Sequence, residues 1–212
     1  MEEPNSSRRH IVTALLVGHE GARWIRATLR AVADQDRPVD RLVAVDTGST
    51  DQTSRFLVDA LGPGAVLNLP PATGFGAAVK GGLRHVERSR PGGAAGPDGR
   101  DWVWLLHDDS APQPDALRQL LAAADATPAA AVIGPKLRGW HDANLLLEVG
   151  TTIAWSGRRS TGLDPREVDQ GQHDGRRDVL AVSSAGMLVR RDVWDALGGF
   201  DPNLGVGYRT AR

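Results

Sequence analysis

Residues 11–32 read IVTALLVGHEGARWIRATLRAV, and the two halves of this stretch follow different periods. Residues 11–17 are a continuous apolar run with β-branched members, the pattern of a strand covered on both faces. Gly18 ends the run. Over 22–32, Trp24, Ile25, Leu29 and Val32 return at helical spacing, which predicts a helix with one inward side. A doubly covered strand feeding an amphipathic helix is the building unit of an α/β fold.

The same unit recurs downstream. Residues 42–46 (LVAVD) predict a second buried strand, followed by a helix that Ser49 or Thr50 can cap and that turns Phe56, Leu57 and Leu61 inward. A short strand at 66–69 leads through Gly74-Phe75-Gly76 into a helix over 77–86. Residues 89–100 are rich in Gly and Pro and read as a loop. A strand at 102–106 (WVWLL) ends at His107-Asp108-Asp109-Ser110, and a helix over 115–126 and a strand at 130–133 follow. Alternation at this rhythm implies right-handed crossovers and a mostly parallel sheet.

Beyond Gly134 the pattern loosens. Residues 145–149 and 151–155 read as strands joined at Gly150, and 156–177 as a polar surface excursion. Further strands at 179–182 and 187–189 flank Ser183-Ser184-Ala185-Gly186, with a short helix from about Asp192. The reading is one compact domain, regular in its first part and irregular in its second. Trp102, Trp104 and Trp155 are expected in the core, and His141 and His173 in solvated loops, since neither has metal-ligand spacing.

Composition narrows the function classes. The net charge of −1 argues against a broadly electrostatic nucleic-acid binder. Lys80 and Lys136 are the only lysines, so arginine carries nearly all the positive charge. The chain has no cysteine, which excludes disulfides, thiolate metal sites and cysteine nucleophiles and fits a reducing cytosol. The polar start has no apolar core of a signal peptide, and no window approaches the roughly 20 apolar residues of a membrane span.

Ligands of an open parallel sheet bind beyond the carboxyl ends of its strands. The residues there are Gly18-His19-Glu20, the run from Asp46 to Asp51, the Gly74 loop and His107-Asp108-Asp109. Paired carboxylates at a strand end suit a hard divalent cation that also meets phosphates. Each piece has a plainer reading as well. Asp108-Asp109 can be a helix-start cluster with Ser110 as cap, Asp46 a turn residue, Ser49 to Asp51 a cap, and Gly74-Phe75-Gly76 a tight turn.

The blocks in their order resemble the family-2 glycosyltransferases. They are the first strand, LVAVDTGSTDQT (42–53), GFGAAVKGGL (74–83), WVWLLHDDSAPQPDAL (102–117) and SSAGMLVRRDVWDALGGFDP (183–202), spanning about 10 to 202. Bacterial rhamnosyl- and galactofuranosyl-transferases are the kind most resembled. The resemblance implies a GT-A fold, that is, a Rossmann-like α/β nucleotide-diphospho-sugar transferase with a mostly parallel sheet and flanking helices. It divides the chain into a disordered 1–9 tail, a domain over 10–204, and an end at 205–212 outside the family. Within the domain, 10–134 is the nucleotide-binding half and 135–204 an incomplete acceptor-side half.

By the same resemblance, His19, Glu20 and Asp46 hold the nucleoside of a UDP- or dTDP-linked sugar. Asp51, Gly74, Phe75, Gly76 and Lys80 shape the ribose and diphosphate side, and Asp108 meets the ribose or sugar. His107 and Asp109 occupy the outer positions of the family's Asp-x-Asp metal motif. Imidazole in the first position suits Mn²⁺ better than Mg²⁺, with Asp109 the main ligand. The implied activity is inverting transfer to a glycan or polyprenyl-linked acceptor in cell-envelope polysaccharide synthesis, in the cytoplasm, with the inner membrane face as an option.

The family's general base lies in an acidic pair shortly after Gly-Gly-Phe-Asp. Here that block is Gly198-Gly199-Phe200-Asp201, and no acidic residue follows Asp201. The expectation is a chain without its base, truncated or frameshifted near Gly205, or a short non-catalytic paralogue that binds nucleotide sugar. A nucleotidyltransferase is disfavoured, because His19-Glu20 stands where its Gly-rich, Lys-containing loop would be.

Overall fold

The structure, a computed structural model, describes residues 10–89, 100–175 and 178–201. The expectations placed on the 1–9 tail, on 90–99 within the Gly/Pro-rich loop and on 202–212, the missing base among them, lie outside the described residues.

The opening unit folds as its two periods require. Strand β1 (Ile11–Gly18) is buried from its second residue on, and helix α1 (Ile25–Ala33) buries Ile25, Thr28 and Val32. The helix starts three residues later than its apolar spacing suggests. The Ala22 N–H donates to the Asp51 carboxylate at 2.9 Å and the Trp24 N–H to the Gly21 carbonyl at 2.8 Å, so this segment is committed to a loop. Trp24 does not join the inward stripe; its ring meets Trp140 edge-on at 4.8 Å.

The pattern then repeats through β2 (Arg41–Asp46), α2 (Thr53–Leu61), β3 (Val66–Asn68), α3 (Phe75–Ser89), β4 (Asp101–His107) and α4 (Ala116–Ala126). Strands β3, β2, β1 and β4 lie side by side and parallel. Alternation along the strands feeds two cores. Val12, Ala14, Leu16, Trp102, Trp104 and Leu106 pack with α1, α2 and α4, while Leu15, Val17, Val103 and Leu105 pack with α3 on the other face. This double coverage is why the strands read as unbroken apolar runs.

The far edge departs from the expected order. Strand β5 (Val132–Ile133) does not pair with β4. Between them runs β10 (Leu188–Arg190), antiparallel to both, delivered after a long excursion and followed by α5 (Arg191–Leu197). The excursion holds two small antiparallel pairs, β6 (Leu137–Arg138) with β7 (Leu146–Glu148) and β8 (Thr152–Ile153) with β9 (Arg159–Ser160). The expected strand at 179–182 reduces to one bridge, Thr151 to Ala181.

Three further expectations are corrected. Gly74-Phe75-Gly76 is not a turn, because α3 begins at Phe75. Gly76 is small for another reason: a Cβ there would stand 2.9 Å from the Phe200 Cβ. Neither Ser49 nor Thr50 caps α2; its Thr53 N–H bonds the Asp51 carboxylate at 2.9 Å, and the two hydroxyls serve the neighbouring loop. Trp155 is not core. It sits fully exposed in the turn between β8 and β9, where the Ala154 N–H bonds the Arg158 carbonyl, whereas Trp102 and Trp104 are buried as expected. No helix among the described residues is long and apolar enough to cross a membrane.

Candidate functional site

Three strand-end segments interlock at the carboxyl rim of the sheet. The His19 N–H donates to Asp108 Oδ2 at 2.7 Å, and the His19 ring Nδ1 bonds the Thr47 carbonyl at 2.9 Å. The Glu20 N–H donates to Ser49 Oγ at 2.9 Å, which in turn donates to Asp46 Oδ1 at 2.5 Å. Glu20 Oε1 accepts from the Thr50 N–H at 2.5 Å and the Thr50 hydroxyl at 3.0 Å. Glu20 makes these bonds from a left-handed backbone conformation (φ 52°), costly for a residue with a side chain and kept here by both partners. The loop after β1 is thus clamped between the loops after β2 and β4.

The clamp assigns the acidic residues different tasks. Asp46 is buried and turned onto Ser49 through both oxygens. Asp51 bridges the Ala22 and Thr53 amides; burial pushes its carboxyl up, but its hydrogen bonds outweigh that and hold it below the usual range. Asp108 lies under the first loop. Burial raises it to about 6 against the lowering bond from the His19 amide, and Asp109 beside it raises it further. A Cβ on Gly21 would stand 2.3 Å from Asp108 Oδ2, so only glycine lets the loop lie down on this carboxylate. Thr28, buried on α1, fixes the Asp108 carbonyl at 2.7 Å.

His107 is set into the rim rather than displayed on it. Its ring packs against Phe75 at 4.7 Å, and its Nε2 pairs with Ser184 Oγ at 2.9 Å. Burial lowers its pKa, opposed by the charge of Asp109, and so favours the neutral imidazole. Asp109 differs from its neighbours. It is half-buried, and its carboxylate is held by no hydrogen bond or ion pair among the described residues.

The described residues contain no group of three acidic or histidine side chains arranged to hold a metal alone. One free carboxylate still fits a hard cation that takes its remaining ligands from phosphates, the common arrangement for Mg²⁺. His107 fits less directly, since its Nε2 is engaged by Ser184.

The structure therefore brings His19, Glu20, Asp46, Asp51, His107, Asp108 and Asp109 to one rim, with Phe75 beside His107. Gly74 accepts the Ala78 N–H at the start of α3. Lys80 stands apart and lines a groove between α3 and α5. Sequence reasoning missed Ser184, Thr47 and Thr28, whose hydroxyls lock the rim. Ser184 lies in the 183–202 block that carries the family resemblance, but only the fold reveals the histidine it meets.

A family model described as "Glycosyltransferase like family 2" matches residues 11–210. Galactofuranosyltransferase GlfT1 of Mycolicibacterium smegmatis is 27% identical over 201 residues, which cover 92% of this chain and 61% of that protein. Among solved structures, the mannosyltransferase PcManGT from Pyrobaculum calidifontis in complex with GDP-Man and Mn²⁺ superposes with a TM-score of 0.57 at 20% identity, covering 92% of this chain and 48% of the other. The crystal structure of S. aureus TarS 1-349 superposes with 0.55 at 16% identity, covering 92% and 51%. At these identities the two structures show a shared fold, and the chain spans about half to three-fifths of the length of these relatives.

Proposed function

This chain belongs to the glycosyltransferase-like family 2, and from that premise we propose that it is the donor-binding part of a transferase that moves a sugar from a nucleotide-diphosphate sugar onto a glycan or lipid-linked acceptor. The observation that carries the reading is the clamped rim with one carboxylate, Asp109, left over. Every other acidic side chain there is engaged by amides or hydroxyls that shape the loops. A pre-formed rim costs little ordering on binding, which is how a site gains affinity without added contacts.

In this reading the nucleoside lies over the His19–Glu20 and Asp46–Asp51 loops, with the diphosphate toward Asp109. The Mn²⁺ and GDP-Man of the mannosyltransferase, and the galactofuranosyl activity in the name of GlfT1, support a divalent cation and a sugar nucleotide here. Asp109 would be the protein's main metal ligand, and His107 would become a second one on giving up its bond to Ser184. The cation would neutralise the charge gathering on the departing nucleoside diphosphate. UDP and dTDP are the nucleotides proposed, with inversion at the anomeric carbon and a place in cell-envelope synthesis at the cytoplasmic membrane face.

Calorimetric titration with UDP, dTDP and GDP, with and without Mn²⁺, tests the reading. Metal-dependent binding of one nucleotide, weakened about tenfold or more by Asp109→Ala, is the expected result, in line with the loss of one charge-assisted contact. A cooperatively folded protein that binds none of the three would overturn it.

A further inference from the structure

The groove between α3 and α5 has a volume of about 270 Å³ and lies outside the clamped rim. Leu83 and Trp194, both buried, are among its lining residues, and Lys80, Arg84, Glu87 and Arg191 bring charge to it. Arg191 is satisfied within the groove by Glu87 and by Asp195, the latter at 2.8 Å. Those two pairs use both carboxylates that line it.

Lys80 and Arg84 are left over. They stand four residues apart on one face of α3, and neither has a hydrogen bond or ion pair among the described residues. Like charges at this spacing repel and weaken a helix. Set in a concave surface beside an apolar floor, such a pair concentrates positive potential where an anion can enter. A file of rings links the groove to the rim: Trp194 to Phe200 at 5.0 Å, Phe200 to Phe75 at 5.9 Å and Phe75 to His107 at 4.7 Å.

We propose that this groove is an anion site for a phosphate- or diphosphate-bearing ligand, held by Lys80 and Arg84. Two sources share that chemistry, the diphosphate of the donor and a phosphate carried by the acceptor. Naming them rests on the transferase reading given above, whereas the anion site itself rests on the groove. The assignment of Lys80 to the donor's diphosphate is kept only if the first source is the right one.

The test uses inorganic pyrophosphate as probe, titrated calorimetrically into the full chain at low salt with EDTA present. Lys80 and Arg84 are solvent-exposed, so Lys80→Gln and Arg84→Gln should fold, which thermal unfolding checks. Saturable binding, weakened about tenfold by either substitution, is expected from the loss of one charged contact. No binding to the folded wild-type protein, or equal binding to Arg84→Gln, overturns the proposal. A second titration, of UDP with Mn²⁺ and no pyrophosphate into the wild type and Arg84→Gln, separates the sources: weaker UDP binding by the variant assigns the groove to the donor, and unchanged binding assigns it to the acceptor. Asp109→Ala keeps the two readings apart, since it should weaken metal-dependent UDP binding about tenfold or more and leave metal-free pyrophosphate binding intact.

Discussion

The two halves of the domain bury their apolar residues by different means. From His10 to Ala131, no large hydrophobic side chain among the described residues is exposed, whereas Val132, Trp140, Leu147, Ile153, Trp155, Val168, Leu180 and Leu197 all are. The first half has a parallel sheet whose two faces are sealed by helices. The second is built from strands two or three residues long, with no helix before α5 among the described residues, and is tied by ion pairs such as Lys136 with Asp169 and Asp174, and Arg159 with Glu148. The lesson is that order in this protein comes from layering. Where no helix covers a sheet, short ladders and charges hold the shape, and apolar side chains stay uncovered by the described residues.

Three substitutions probe that contrast, the largest effect first. Trp104 is buried and bonds the Gly186 carbonyl through its ring nitrogen. Trp104→Ala should cost about 3–5 kcal/mol in urea unfolding, the range for deleting a large core aromatic. A loss below about 1 kcal/mol would mean that the layered half is not the stable one.

The rim should show an intermediate effect that depends on pH. Asp108 is raised to about 6 in the folded protein, so the native state holds its proton longer than the unfolded chain. Stability should therefore fall as pH rises from about 4 through 6, by up to about 3 kcal/mol from this group. Asp108→Asn keeps an acceptor for the His19 amide and should flatten that fall. His107, lowered by burial, acts in the opposite sense, losing stability as pH drops below about 6.5. Unfolding curves between pH 4 and 7 for both proteins decide whether the Asp108 contribution is real.

The smallest effect is expected in the second half. Trp155→Ser should change stability by less than about 0.5 kcal/mol, because the side chain touches little that it could lose. A loss several times larger would show that the β8–β9 turn is packed in solution and that the two halves are more alike than their side-chain exposures imply.

Legibility in the sequence follows the same divide. Residues 11–17, 42–46 and 102–106 could be read as strands because double burial writes a continuous apolar run, and the rim could be placed because strand ends follow from strands. The GT-A fold expected from the family blocks is the fold seen. What could not be read depends on contacts distant in sequence. The reach of Ala22 to Asp51 shortens α1, the pull of Asp46 and Glu20 takes Ser49 and Thr50 from their expected cap, and the approach of Phe200 explains Gly76. Trp155 departs from the core expectation because a tryptophan marks a core only where a second layer exists to receive it.

The late position of β10 bears on how the chain must be made. Leu188 pairs with Trp104 and Val189 with Val103, so the outer side of β4 waits for residues synthesised long after it. Until they arrive, the Trp102–Leu106 stretch offers an unpaired, strongly apolar strand edge, a template for pairing with other chains. The nascent protein is therefore expected to be most prone to aggregate before β10 docks, and chaperone dependence should track that event.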